Sequence, residues 1–96
     1  MGNSVTVLLP TLLRPYAEGR SEVDVPLRSP ATVAGVLEEL CDGRPLLARR
    51  LRDETGELRR YVNVYVDGED VRRLQFLQTP VEPGGTVMVM QSVAGG

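Results

Sequence analysis

Histidine and lysine are both absent from this 96-residue chain, whose 11 basic side chains are all arginine. Without an imidazole there is no histidine general base, no histidine-dependent triad and no imidazole metal ligand. Without a lysine there is no side-chain amine that could attack an activated carboxyl group. The chain therefore offers few of the groups on which enzymes rely, and we expect a protein that is not itself an enzyme.

Cysteine is almost absent as well, since Cys41 is the only one. A single thiol excludes an internal disulfide and a Cys-x-x-Cys metal or redox site, and it favours a reducing, cytoplasmic setting. Cys41 falls on the apolar side of a predicted helix, where a cysteine usually packs as a small hydrophobic residue. We expect no metal site.

The chain also lacks a polybasic run, a signal-peptide pattern and an apolar stretch long enough to cross a bilayer. With a net charge of −2, we expect neither nucleic acid nor membrane among its partners. Residues 44–60 are locally rich in arginine. They form either a solvated face balanced by Asp53, Glu54 and Glu57 or a docking surface for an acidic partner.

The length and a hydrophobic fraction of 42% suit one globular domain. Side-chain alternation predicts strands over 5–9, 20–27, 61–66 and 86–93. Helical periodicity predicts a helix from Thr32 to Asp42-Gly43 and a short helix from Pro45. Between these elements we expect a connection over 11–15 and an irregular or single-turn segment over 71–78. This is an α+β pattern with one main helix packed on one sheet face.

The other face of the predicted sheet is unusually apolar. If the alternating valines of the strands face the helix, then four large side chains point away from it: Leu8, Tyr65, Met88 and Met90. Exposed apolar patches on small domains usually mark partner surfaces, and methionine suits surfaces that repack. We expect a docking face, the alternative being a second small core under residues 71–83.

The last strand runs into Val93, Ala94, Gly95 and Gly96. We expect residues 1–93 to form the domain and 94–96 a flexible tail. Because glycine has no Cβ, such a tail could enter a narrow channel in a partner. A terminal carboxyl group has a pKa of about 3.3–3.7, so near neutral pH it is an anion and a poor electrophile. It becomes reactive only with a better leaving group, such as AMP from ATP. The alternative is an inert, frayed end.

These features together resemble the ubiquitin-like β-grasp sulfur carriers of the MoaD/ThiS group, in particular the branch that serves an actinobacterial route to cysteine. The resemblance covers nearly the whole chain and is carried by residues 9–15 (Leu-Pro-Thr-Leu-Leu-Arg-Pro), 61–66 (Tyr-Val-Asn-Val-Tyr-Val), 69–72 (Glu-Asp-Val-Arg) and 93–96 (Val-Ala-Gly-Gly). It implies a β-grasp fold, with a mixed sheet of four to five strands and one main helix.

The resemblance also implies a mechanism. An E1-like enzyme would use ATP-Mg to adenylate the carboxyl group of Gly96, and a sulfur donor would displace AMP to leave a thiocarboxylate. A PLP-dependent cysteine synthase would accept the sulfur, and a metalloprotease would release the cysteine. The carrier itself would bind no cofactor, and its outer sheet face would dock the activating enzyme.

Other functions share this fold and ending. A molybdopterin synthase small subunit and the sulfur carriers of thiamin or secondary-metabolite pathways would look similar. A ubiquitin-like modifier joined to other proteins, or an interaction domain with an inert tail, would also fit. The sequence favours the sulfur carrier and leaves its pathway, sulfur donor and oligomeric state open.

Overall fold

Five strands form one mixed sheet in the computed structural model, which describes residues 3–92. They run over Ser4–Leu8 (β1), Glu22–Pro26 (β2), Val62–Val66 (β3), Glu69–Asp70 (β4) and Thr86–Gln91 (β5). Their order across the sheet is β2-β1-β5-β3-β4, with β1 and β5 parallel and the other neighbours antiparallel. The first and last long strands therefore lie side by side at the centre.

Two α-helices, Val33–Leu40 (α1) and Pro45–Leu51 (α2), pack against one face of this sheet. The Thr32 hydroxyl accepts a hydrogen bond from the Gly35 amide at 3.3 Å, which caps α1 as predicted. Pro45 opens α2, a position where its missing N–H costs nothing. Within residues 3–92, no helix has the length and apolar character needed to span a membrane.

The core lies between the sheet and these helices. Its members come from the inward faces of the strands, the apolar sides of the helices and two connecting residues, Leu9 and Val81. They are Val5, Val7, Leu9, Leu13, Ala17, Val23, Val25, Val33, Val36, Leu37, Leu40, Leu47, Leu51, Val62, Val64, Val71, Val81, Val87 and Val89. Strict alternation in β1, β3 and β5 places every second residue inward. The predicted inner face of the sheet is thus confirmed.

Several segments differ from the predictions. The expected connection over 11–15 is a 3₁₀ helix, Thr11–Ala17, because Leu13 and Ala17 are buried and hold that stretch against the core. The two-residue strand β4 was missed, since two residues carry no periodic pattern. The segment over 71–78, predicted to be irregular or a single helical turn, contains two short 3₁₀ helices, Val71–Arg73 and Phe76–Gln78.

Strand boundaries also shift. The second strand is shorter than predicted, and β5 ends at Gln91, so the predicted Val93 end lies outside the described residues. The Asp67-Gly68 turn is confirmed, with φ of 48° and 90° at the two residues, values that suit the tight turn of a hairpin. A mixed five-stranded sheet with α1 across one face is the arrangement of the predicted β-grasp fold.

Candidate functional site

The four predicted docking residues lie together on the sheet face opposite the helices. Leu8 of β1 is paired with Met88 of β5, and Met88 is paired in turn with Tyr65 of β3. These three side chains form one row across the central strands, because paired residues project from the same face of a sheet. Met90 lies two residues further along β5. We call these four residues the docking row.

The docking row is accessible and bordered by acidic residues. Met90 is 43% exposed, and the other three side chains are half-buried. Glu22 is paired with Leu8 at one end of the row, and Asp70 is paired with Tyr65 at the other. The face therefore offers an apolar strip between two carboxylates.

An open groove runs along the β1 side of the docking row. It has a volume of about 450 Å³ and is lined by Leu8, Met88 and Met90 together with Pro10 and Arg14. The Arg14 Nε donates to the Leu9 carbonyl at 3.0 Å, which keeps the arginine stem along this edge. The groove could receive an apolar side chain from a partner.

The two valines of residues 71–83 do not pack on this face. Val71 and Val81 are buried in the core on the helix side. The Val81 amide donates to the Ala31 carbonyl, and the Val33 amide donates to the Thr79 carbonyl, both at 3.0 Å. The alternative of a second small core beneath this segment on the outer face is therefore wrong.

A hydrogen-bonded chain that sequence reasoning missed lies beside Met90. The Arg72 Nη1 donates to the Asn63 Oδ1 at 2.8 Å, and the Asn63 Nδ2 donates to the Ser92 Oγ at 2.9 Å. Asn63 is the residue paired with Met90, so it projects from the outer face. We call Arg72, Asn63 and Ser92 the tail bracket, because Ser92 is the last residue before the Val-Ala-Gly-Gly ending.

The β4 hairpin brings Arg72 into this position. The Asp70 carboxylate accepts from the Arg72 amide at 2.9 Å and caps the following 3₁₀ helix. Val71 is fully buried and fixes the turn to the core. The Arg72 Nη2 also donates to the Val62 carbonyl at 3.1 Å. The Glu-Asp-Val-Arg segment that carried part of the resemblance thus has a structural reason for its residue types.

The four residues of the ending, Val93, Ala94, Gly95 and Gly96, lie outside the described residues. The assignment of Gly96 as the reacting group and of the other three as the tail therefore stays a prediction. The structure does describe where this ending starts. The Ser92 amide donates to the Tyr61 carbonyl at 2.8 Å, one residue beyond the end of β5.

Two arginines of residues 44–60 pair with carboxylates outside that segment. The Arg44 guanidinium pairs with Glu18 at 2.7 Å, and this hydrogen bond lowers the pKa of the Glu18 carboxyl group. Arg52 lies 3.8 Å from Glu38, and its Nε donates to the Gly56 carbonyl at 2.6 Å. The charge of Arg59 is one of the causes that lower the pKa of the Asp53 carboxyl group, and a solvated face balanced by Asp53, Glu54 and Glu57 stays a prediction.

Asp53 also stabilises a loop. Its carboxylate accepts hydrogen bonds from the Thr55 hydroxyl and from the amides of Glu57 and Thr55, which lower the pKa of the carboxyl group. The same bonds close the loop before β3. Arg50 lies over the Tyr16 ring at 4.7 Å, a favourable cation–π distance. A docking role for residues 44–60 stays a prediction.

Cys41 packs against the core beside α1, as predicted. Burial raises the pKa of its thiol to about 11, an effect that Arg52 and Arg44 only partly oppose. The thiol is therefore protonated near neutral pH and a weak nucleophile. Within residues 3–92, no three His, Cys, Asp or Glu side chains converge to hold a metal ion.

Comparison with known proteins places this fold and ending in a family. The ThiS family profile matches residues 7–96. The sulfur carrier protein CysO of Mycobacterium tuberculosis is 38% identical over 95 residues, which cover 97% of this chain and 99% of that protein.

Solved structures share the fold, among them two that are also similar to this chain in sequence. The crystal structure of Mycobacterium tuberculosis CysO has a TM-score of 0.81 and 36% identity, covering 93% of this chain and 99% of that one. A chain in the crystal structure of the Amycolatopsis orientalis BexX/CysO complex has a TM-score of 0.79 and 35% identity, covering 96% and 99%.

These matches confirm the predicted resemblance and the β-grasp fold. They also confirm the prediction of a carrier protein rather than an enzyme. The chain belongs to the ThiS family and is a homologue of the sulfur carrier protein CysO.

Proposed function

We propose that this protein carries sulfur as a thiocarboxylate on Gly96 and supplies it to cysteine synthesis in the cytoplasm. A carboxylate oxygen of Gly96 attacks the α-phosphorus of ATP-Mg on an E1-like enzyme, and pyrophosphate leaves. Hydrosulfide or an equivalent donor then adds to the acyl carbon, and AMP departs with the bonding electrons. A PLP-dependent cysteine synthase uses the sulfur, and a metalloprotease releases the cysteine.

The observation that carries this proposal is the position of the docking row relative to the chain ending. Met88 and Met90 belong to β5, and the same strand leads directly to Ser92 and the Gly-Gly ending. A partner that holds the outer face therefore holds the strand from which the reacting carboxylate extends. The kinship with CysO, a relative of which was crystallised in a complex with BexX, supports the expectation that this chain docks onto a partner protein.

The proposal also explains why the outer face of the sheet is apolar. An exposed strip of Leu8, Tyr65, Met88 and Met90 offers no advantage to a protein without partners, because such patches promote aggregation. On a carrier that visits several enzymes in turn, flexible methionines allow one surface to fit more than one groove. The E1-like enzyme is the first such partner.

Intact-mass measurement tests the proposal. The chain is incubated with an E1-like enzyme, ATP-Mg and sulfide, and a parallel sample lacks ATP. We expect the mass gain of one sulfur replacing one oxygen, localised to Gly96 by fragmentation and absent without ATP. Adding the PLP-dependent synthase and its amino-acid acceptor should then attach one cysteinyl residue, which the metalloprotease removes.

An unchanged mass in the presence of an activating enzyme proven on another carrier would contradict the proposal. Stable adducts with other proteins under the same conditions would instead identify a ubiquitin-like modifier. Sulfur loading without transfer to the cysteine synthase would leave the carrier role intact and reassign the pathway.

A further inference from the structure

The end of β5 is held by more than the sheet. The β3–β5 ladder ends at the pair Val62 and Gln91, so Ser92 lies beyond it. Ser92 nevertheless makes two hydrogen bonds to the domain, through its amide to the Tyr61 carbonyl and through its hydroxyl oxygen to the Asn63 side chain. A residue just past the last strand pair would ordinarily be free to fray.

The Asn63 amide is held in one orientation by Arg72. A guanidinium can only donate hydrogen bonds, so Arg72 must face the amide oxygen of Asn63. This leaves the amide nitrogen to point at Ser92, where it donates at 2.9 Å. Without Arg72 the amide could rotate by half a turn and present its oxygen to Ser92 instead.

Arg72 is itself fixed at two further points. Its Nη2 reaches the Val62 carbonyl at 3.1 Å, and its amide is held by the Asp70 carboxylate at 2.9 Å. The tail bracket thus joins the 3₁₀ helix after β4, strand β3 and the residue after β5. All of its contacts come from described residues of the domain.

We propose that the tail bracket positions the chain ending for activation, with Arg72 and Asn63 acting through Ser92. This inference rests on the proposed function, since it assigns a role in the reaction of Gly96. Only four residues separate Ser92 from the reacting carboxylate, so the place of Ser92 limits where that carboxylate can reach. Small displacements of a reacting group lower a rate strongly even when binding is intact.

The structure suggests two variant pairs for the test. Ser92→Ala removes the hydroxyl, whereas Ser92→Thr keeps it. Arg72→Ala breaks the bracket, whereas Arg73→Ala removes the neighbouring exposed arginine, which makes no side-chain hydrogen bond among residues 3–92. Asn63 is left unchanged because it lies beside Met90 in the docking row.

The measurements are the kcat and KM of adenylation by the E1-like enzyme, with pyrophosphate release as the readout. For Ser92→Ala and Arg72→Ala we expect kcat to fall about fivefold or more, because each variant loses a hydrogen bond that holds the productive geometry. The KM should stay within about twofold of the wild-type value. Ser92→Thr and Arg73→Ala should behave like wild type. Hydrogen exchange of the Ser92 amide should be faster in Arg72→Ala and Ser92→Ala only.

Two results would overturn the positioning role alone. One is an unchanged kcat in both bracket variants, and the other is a raised KM with unchanged kcat, which would make these residues part of the docking surface. A wild-type chain that releases no pyrophosphate with a proven activating enzyme would refute the proposed function and the positioning role with it.

Discussion

Met90→Arg should separate binding to the activating enzyme from folding. Met90 is 43% exposed in the free chain, so an arginine can extend into water there. The free energy of unfolding should change by no more than about 0.5 kcal/mol, as for most surface substitutions. When a partner covers the docking row, the same guanidinium must lose its water without an opposing charge.

The expected cost follows from that desolvation. Burying an unpaired charge at an interface costs about 2–5 kcal/mol. Since each 1.4 kcal/mol is about a tenfold change in affinity, KM for the carrier should rise by about 30-fold or more. Once bound at saturating concentration, the carrier should still be adenylated, so kcat should change much less than KM.

The assay is steady-state pyrophosphate release at varied carrier concentration, with thermal unfolding in parallel. Leu46→Arg is a matched control, because Leu46 is 58% exposed on α2, on the opposite side of the sheet. Met90→Leu keeps an apolar side chain and should retain nearly normal KM. An unchanged KM in Met90→Arg, or an equal rise in Leu46→Arg, would refute the docking row as the binding surface.

Val64 is completely buried on the interior strand β3, so Val64→Ala should lower the free energy of unfolding in urea by about 2–3 kcal/mol. A loss below about 1 kcal/mol would contradict this packing. Thr32→Ala removes the α1 cap and should cost about 1 kcal/mol, whereas Thr32→Ser should restore most of it. The rate of Cys41 alkylation should rise with pH and reach its midpoint near the thiol pKa of about 11, because burial disfavours the thiolate. A midpoint at or below the ordinary value of 9.0 would show that the thiol is exposed. Removing Gly95 and Gly96 should abolish adenylation without lowering the melting temperature, because the core of the described part of the chain runs from Val5 to Val89. A lower melting temperature would show that the ending contributes to the fold.

The elements with a regular pattern could be predicted from the sequence. Thr32 followed by apolar residues at helical spacing identified α1, and the valine alternation of β3 and β5 identified both faces of the sheet. These patterns are local, since one face of each element must meet the core. The docking row followed from the same alternation, because the residues between inward valines must point outward.

The features that were missed depend on contacts between distant residues. The 3₁₀ helix at Thr11–Ala17 forms because Leu13 and Ala17 are drawn into the core, despite Pro15 within it. β4 exists because a tight turn returns the chain along β3. The tail bracket joins Asn63 to Ser92 across 29 residues of sequence. Their side chains alone do not reveal this proximity.

The central strand β5 couples stability, recognition and delivery. Val87 and Val89 are buried in the core, while Met88 and Met90 face outward between β1 and β3. Because β5 is paired on both edges, it cannot slide without exchanging its valines and methionines between the two faces. Ser92 follows Met88 by four residues, about 13 Å at the usual strand rise of about 3.3 Å per residue. When a partner binds Met88, the chain ending therefore starts about 13 Å from that contact. The distance between the partner's docking groove and its nucleotide site must match this spacing.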